Sequence, residues 1–366
     1  MSSKMRLLYK MVNSYLKVRL FNKPAPISIL IDITNQCPKV CCYCDSWKQA
    51  PMYMATNDIL KLLKELDSAG VSRITFHGGD PLMHPDFKRI IRAAREYNFF
   101  ITISVRETLI RKHIEDLKFV DLVFVSFDGN ESAHDAQKGK GSFEELMQAF
   151  QALKENRISF QTTTVMTRIN KGDIDFITDT AKKFDFYTHF QPLQFPPFKK
   201  IDQSALKNPD DNPLAPLILS KEEYAEIGRR LLELKSRGVH IATSKKIIKL
   251  LFIDWPIPTL TFLPYRLDKS IKCWSGLLYN SIGVTGELFP CAYYYPTYLQ
   301  IKPSNAFTEG FENALKKNIK DESCQTCMIP CFMELNAMFS LNIGTIINWL
   351  PKVIGKYNII KKGMNK

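Results

Sequence analysis

The chain has 366 residues, of which 45% are hydrophobic and 24% charged, a composition that indicates a globular protein of one large or two ordinary domains and excludes a disordered chain. The formal net charge of +13 indicates either a solvated basic surface or an anionic partner, such as an acidic substrate or an anionic membrane surface. Nucleic acid is not expected as a partner, because no RNA-binding signature accompanies the charge.

Between residues 27 and 192, apolar runs of strand length alternate with amphipathic segments of helix length. The predicted strands are 28–33, 73–76, 100–104, 122–127, 159–166 and 187–191. The predicted helices between them are 56–69, 86–97, 108–116, 142–156 and 173–184. Such alternation requires parallel crossovers. The predicted fold class is therefore α/β, with a partial (β/α)6 barrel of the TIM type whose site lies at the carboxyl ends of the strands.

The first cysteine group follows the first predicted strand. Cys37, Cys41 and Cys44 have the spacing C-x3-C-x2-C, which supplies three thiolates to a four-iron cubane and leaves one iron open to a small molecule. Zinc sites favour paired C-x2-C knuckles and bacterial ferredoxins favour C-x2-C-x2-C, and neither fits. Cys42 breaks the spacing with either neighbour, so we predict a spectator packed beneath the loop. Clustered cysteines without a signal peptide indicate metal ligands in a reducing cytoplasm.

This spacing, with Tyr43 before the last cysteine, resembles that of the radical S-adenosylmethionine (radical SAM) superfamily. The resemblance implies that Cys37, Cys41 and Cys44 hold a 4Fe–4S cluster whose open iron is chelated by the amino and carboxylate groups of SAM. It implies an enzyme that cleaves SAM to a 5′-deoxyadenosyl radical and abstracts hydrogen from a substrate. An electron donor such as flavodoxin or ferredoxin is implied as a partner. The alternative is a non-catalytic iron–sulfur protein that carries electrons or senses oxygen.

Further motifs resemble elements of the same family. The segment 77–81, HGGDP, looks like the G-G-E-P motif, which makes Gly78, Gly79 and Asp80 expected SAM contacts. Missing side chains would let this backbone approach SAM closely. The segments 125–129, 134–135 and 139–143 resemble the S-x-D-G, H-D and R-G-x-G-S-F series of the peptide-maturase branch. By that resemblance the cofactor contacts also include Ser126, Asp128 and Lys138, the last standing where Arg is common.

Other polar residues near this rim have less defined roles. His134 is expected to make a structural hydrogen bond in preference to acting as a substrate acid or base. The candidates for the adenine side of SAM, on the fifth and sixth predicted strands and just after them, are Thr164, Met166, Asn170 and Gln191.

A second cysteine group lies in the last quarter of the chain. Cys273 is followed by G-x4-C at 286–291, by C-x2-C at 324–327, and by Cys331. This series looks like the SPASM and Twitch extensions behind radical SAM barrels, which hold auxiliary 4Fe–4S clusters. The resemblance implies one auxiliary cluster on Cys273, Cys291, Cys324 and Cys327, with Cys331 as a substitute ligand. A structural zinc site fits the spacing equally well.

The predicted organisation has five parts. A basic amphipathic segment (1–26) precedes the radical SAM core (27–195), a connector with a helix (196–265), the auxiliary domain (266–335) and a basic amphipathic tail (336–366). Lysines interrupt both ends too often for a transmembrane helix. The substrate classes left open are a peptide, a small molecule such as a sugar or aminocyclitol, and a lipid or lipid-linked sugar. Peripheral contact with an anionic membrane is a further expectation for the two ends.

Overall fold

A computed structural model of the chain describes residues 3–38, 40–44, 46–194, 214–292, 303–318 and 324–351. Its central sheet consists of β1 (Ser28–Thr34), β2 (Arg73–Gly78), β3 (Phe100–Val105), β4 (Leu122–Ser126), β5 (Phe160–Met166) and β6 (Tyr187–Pro192). Each strand pairs in parallel with the next along the chain. This pairing confirms the predicted α/β fold with six parallel barrel strands. Buried β-branched and aromatic residues run along each strand.

Helices cover the outside of this sheet. They are α1 (Ser3–Phe21), α2 (Thr56–Ser68), α3 (Phe87–Glu96), α4 (Ile114–Leu117), α5 (Glu131–Lys138), α6 (Ser142–Glu155) and α7 (Ile174–Phe184). The prediction of a helix over 108–116 is wrong, since a 3-10 turn at Glu107–Leu109 precedes the short α4. A buried ion pair between Arg106 and Glu107 holds the start of that segment at the sheet.

The sheet continues past β1 into the C-terminal part of the chain. Strand β8 (Tyr279–Ile282) lies parallel to β1, and β9 (Glu287–Phe289) and β10 (Ser304–Asn305) follow antiparallel. The strand order is β10-β9-β8-β1-β2-β3-β4-β5-β6. A separate pair is formed by β7 (Phe262–Leu263) and β11 (Thr326–Cys327). The cysteine-rich region is thus joined to the barrel by backbone hydrogen bonds.

The remaining helices are α8 (Lys221–Ser236), α9 (Lys245–Ile248), α10 (Ala306–Glu309), α11 (Phe311–Lys317), α12 (Pro330–Phe339) and α13 (Ile343–Pro351), and a π-helical turn at Lys249–Ile253 extends α9. No described helix has the length and apolar content needed to cross a bilayer. Residues 195–213 of the core and connector, and 352–366 of the tail, lie outside the described residues. The four boundaries between the five predicted parts stay predictions.

Candidate functional site

Three predicted motifs lie at the carboxyl ends of neighbouring strands. The loop with Cys37, Cys41 and Cys44 follows β1, the glycine pair lies at the end of β2, and Ser126 ends β4. Because these strands are parallel, their carboxyl ends share one rim of the sheet. The structure therefore brings the motifs to the same rim, where the sequence predicted them.

The glycine pair docks the cysteine loop onto β2. The Gly79 N–H donates to the Thr34 carbonyl oxygen at 2.8 Å, and the Asp80 N–H donates to that of Gln36 at 2.6 Å. A Cβ at Gly78 would stand 1.9 Å from the Thr34 oxygen, and one at Gly79 would stand 2.0 Å from the Gln36 oxygen. The backbone that leads to Cys37 therefore leaves no room for a side chain at either glycine. This need for glycine is separate from the predicted close approach of SAM.

Helix α5 holds the other side of the same loop. The Cys42 N–H donates to the Gln137 carbonyl oxygen at 3.0 Å, and the Tyr43 hydroxyl donates to Asp128. The Lys138 ammonium lies 4.6 Å from the centre of the Tyr43 ring. The Cys42 side chain is exposed, so the prediction that it packs beneath the loop is wrong. The hydrogen bond from its backbone N–H to Gln137 fixes the residue while its side chain stays exposed.

The three predicted ligands differ in exposure. Cys41 is buried, whereas Cys37 and Cys44 are half-buried. The Arg106 guanidinium donates to Cys41 Sγ at 2.6 Å. Across the described residues, no group of three or more His, Cys, Asp or Glu side chains is arranged to hold a metal ion. The three thiols are therefore close in sequence, and their joint coordination of iron stays a prediction.

Asp128 is the centre of a buried polar network beneath the loop. Its carboxylate accepts from Lys138 at 2.9 Å, from Tyr43 and from the Val165 N–H at 2.9 Å. Burial opposes ionisation, but the Lys138 charge holds the pKa of Asp128 below its ordinary value. Burial likewise opposes the Lys138 charge, and Asp128 raises the pKa of that amine. The two predicted SAM contacts therefore form an ion pair with each other.

His134 supports the same network from α5. Its Nδ1 accepts from the Asp128 N–H at 3.1 Å, and its ring lies near those of Phe127 and Phe143. Burial lowers the pKa of His134 to about 4, so the imidazole is neutral at pH 7. A neutral, buried ring with this bond fits the structural role that we expected.

A second buried network lies at the end of β3, and sequence reasoning missed it. The Arg106 guanidinium pairs with Glu107 at 3.1 Å, and the backbone N–H of Arg106 donates to the Asp80 carboxylate at 3.0 Å. Asp80 also accepts from the Leu82 N–H at 2.9 Å, and burial raises the pKa of its carboxyl to about 7. The available signal was an Arg-Glu pair directly after an apolar strand. Both charged side chains are buried, and charged residues are rarely buried unless they are paired.

The expected adenine-side residues are mostly engaged with protein. The Thr164 hydroxyl donates to the Phe127 carbonyl oxygen at 2.6 Å. The Asn170 amide donates to the carbonyl oxygens of Asp128 at 3.0 Å and Val165 at 2.8 Å. Met166 is buried, and Ser126 and Gln191 are half-buried. A role toward SAM stays a prediction for each of them.

Three of the other four C-terminal cysteines lie near Cys327. Burial raises the pKa of the Cys327 thiol, and the nearby thiols of Cys273, Cys324 and Cys291 raise it further. Tyr279 lies beside them, with its hydroxyl 3.7 Å from Cys273 Sγ. The fifth cysteine, Cys331, is exposed on α12. The assignment of Cys273, Cys291, Cys324 and Cys327 as ligands stays a prediction.

The rim has the donor chemistry that an iron–sulfur cluster requires. Three thiols lie on one loop, and iron–sulfur clusters are held by such thiolates. Two buried cations, Arg106 and Lys138, lie within reach of that loop, at Cys41 Sγ and over the Tyr43 ring. Cations of this kind stabilise thiolates and the negative charge of a cluster.

The family model of the Radical SAM superfamily matches residues 31–181, which include the cysteine loop, the glycine pair and Asp128. Residues 31–181 thus belong to the Radical SAM superfamily. The C-terminal region lies beyond this match, and its five cysteines fit the predicted SPASM/Twitch-like extension. Membership implies a 4Fe–4S cluster and SAM as cofactors of the core.

Three relatives illustrate the range of this similarity. SkfB, the sporulation killing factor maturation protein of Bacillus subtilis, is 27% identical over 166 residues, which is 43% of this chain and 39% of SkfB. An AdoMet-dependent heme synthase of Oleidesulfovibrio alaskensis is 29% identical over 285 residues, which is 74% of this chain and 70% of the synthase.

The third relative is SuiB of Streptococcus suis, solved with bound S-adenosylmethionine and with the precursor peptide SuiA. The TM-scores are 0.60 and 0.63 at 14% and 13% identity, covering 82% and 85% of this chain and 67% and 68% of SuiB. At this identity the likeness shows the fold alone. The chain spans less than half the length of the first curated relatives that it matches.

Proposed function

We propose that the chain is a radical SAM enzyme that abstracts a hydrogen atom from a peptide substrate. Cys37, Cys41 and Cys44 would hold the 4Fe–4S cluster. When bound, that cluster supplies the electron that cleaves SAM to a 5′-deoxyadenosyl radical. The observation that carries the proposal is the double anchoring of the cysteine loop on the strand rim, by Gly79 on one side and Gln137 on the other.

In this proposal, some residues around the loop contact SAM and others position the loop. We assign direct SAM contact to the backbone of Gly78 and Gly79 and to the half-buried Ser126 at the end of β4. Asp80, Asp128 and Lys138 are buried and bonded within the protein, so they position the loop and the rim. A fixed, water-poor surrounding is what a reactive radical requires, since water and loose groups would quench it.

We propose a second, auxiliary 4Fe–4S cluster on Cys273, Cys291, Cys324 and Cys327. The effect of the other three thiols on the pKa of Cys327, in addition to that of burial, supports this set, whereas the pKa of the Cys331 thiol responds to burial and to Arg73 and Glu334. A zinc ion would use the same four thiols. Sulfide analysis distinguishes the two, because only a cluster contains it.

Peptide is the substrate class that we favour. SkfB is named as a maturation protein, and SuiB has been solved with a precursor peptide. The heme synthase match over most of the chain makes a small molecule the second candidate. Electron supply from a flavodoxin or ferredoxin, in a reducing cytoplasm, completes the proposal.

The test is SAM cleavage by anaerobically reconstituted and reduced protein. We expect 5′-deoxyadenosine in the native chain and none in the Cys37→Ala/Cys41→Ala/Cys44→Ala variant. Cys42→Ala is the matched control, because it removes an exposed thiol from the same loop. It should retain both the cluster and the activity. An intact cluster that cleaves no SAM would favour the electron-carrier alternative.

A further inference from the structure

Helix α1 is attached to the domain by one of its faces. The Lys10 ammonium pairs with Asp67 at 2.6 Å, and the Tyr15 hydroxyl donates to the Phe339 carbonyl oxygen at 3.0 Å. Val18 is only 2% exposed and packs in a cluster with Trp274. The orientation of α1 is therefore fixed along its length by contacts to both halves of the chain.

The opposite face of α1 is apolar and points to solvent. We call it the α1 strip: its members are 47–70% exposed and comprise Met5, Leu8, Tyr9, Val12, Leu16 and Leu20. Their spacing places them on one side of a helix. Ordinary surface helices turn such a face inward, and here the attached face is the more polar one, with Lys10 and Ser14 buried. A continuous exposed apolar strip marks an interaction surface.

Charge restricts what can cover the α1 strip. The helix sequence SKMRLLYKMVNSYLKVRLF contains no acidic residue. Lys17 is exposed beside the strip, and so is Arg6, whose guanidinium lies 3.9 Å from the Asp67 carboxylate. Two copies of α1 packed strip to strip would bring these like charges together with no acidic partner from either helix. The occupant must offer both an apolar interior and negative charge.

We propose that the α1 strip is a docking surface for an anionic membrane. The apolar side chains would enter the boundary between head groups and acyl chains, and Lys17 would reach the lipid phosphates. The domain holds α1 from one side through Lys10, Tyr15 and Val18, so the α1 strip on the other side can lie flat on the bilayer. This inference concerns where the enzyme works and is independent of its radical chemistry.

Vesicle co-sedimentation of the full chain tests the proposal. We expect binding to phosphatidylcholine–phosphatidylglycerol vesicles, weakened by salt, and none to pure phosphatidylcholine. Leu8→Gln/Leu16→Gln should bind about tenfold more weakly or worse. The matched control is Ile257→Gln/Tyr265→Gln, which removes two exposed apolar residues elsewhere and should bind like the native chain.

A substitution that removes a basic side chain provides an independent test of membrane binding. Lys17→Gln removes one exposed basic side chain and should weaken binding about fivefold. Circular dichroism and the unfolding midpoint should be unchanged in every variant, since all the substituted residues are exposed. Failure of the native chain to bind anionic vesicles would overturn the proposal. So would equal binding by Leu8→Gln/Leu16→Gln, or a dimer in solution that this double variant abolishes.

Discussion

The Arg106 guanidinium donates a hydrogen bond to Cys41 Sγ across 2.6 Å, joining the end of β3 to the loop after β1. Its other nitrogens donate to Glu107 at 3.1 and 3.2 Å, and both side chains are buried. The cation is therefore held in one place against the sulfur. A cationic donor to a cluster ligand stabilises the reduced, more negative state of the cluster.

Loss of this cation should lower the reduction potential of the cluster on Cys37, Cys41 and Cys44. We would change Arg106→Gln together with Glu107→Gln, so that no unpaired carboxylate is left buried. A hydrogen bond to a charged group is worth about 1.5–3 kcal/mol, which corresponds to about 60–130 mV for one electron. Redox titration followed by electron paramagnetic resonance measures the shift. Arg95→Gln/Asp121→Asn, a similar pair far from the loop, should leave the potential unchanged.

Gly79→Ala should reduce cluster occupancy by displacing the cysteine loop. The new Cβ would stand 2.0 Å from the Gln36 carbonyl oxygen, and relieving such an overlap costs about 1–3 kcal/mol. Iron per chain after reconstitution and the unfolding midpoint should both fall. Gly172→Ala is the matched control, because no heavy atom lies within 4 Å of its Cβ position. Full iron content in Gly79→Ala would show that the close approach to β2 is not needed.

The strands and the placement of the motifs could be predicted from sequence because each strand is a local run of apolar residues. The contacts that organise the site could not, since they join distant positions: Arg106 and Cys41 are 65 residues apart. Helix α5 was missed for a similar reason. Its N-cap, Asn130, is held by Asp173, 43 residues further along the chain. The amphipathic character of the N-terminal segment was visible, but not which face contacts the domain.

His134 should make stability depend on pH below neutrality. Burial holds its pKa at about 4, against an ordinary 6.5, so the unfolded chain binds a proton in this range and the native chain does not. The contribution is present in full above pH 6.5 and is lost as the pH falls toward 4, by about 3 kcal/mol in total. In His134→Asn the side-chain oxygen can still accept from the Asp128 N–H without titrating. Chemical unfolding at pH 7 and pH 5 should show a smaller loss of stability in the variant, and an equal loss would assign the pH dependence to other groups.

Cys327 and Cys331 should differ sharply as ligands of the C-terminal site. Cys327 is buried among three other cysteine thiols, whereas Cys331 is exposed on α12. In a chain that lacks Cys37, Cys41 and Cys44, we expect about four irons with sulfide to remain. Adding Cys327→Ala should remove them, because three thiolates remain where four are needed, and adding Cys331→Ala should leave them in place. Iron, zinc and acid-labile sulfide analysis of the purified proteins measures the outcome. One zinc per chain without sulfide would assign the four thiols to a structural zinc site, and iron loss in Cys331→Ala would make that cysteine a ligand.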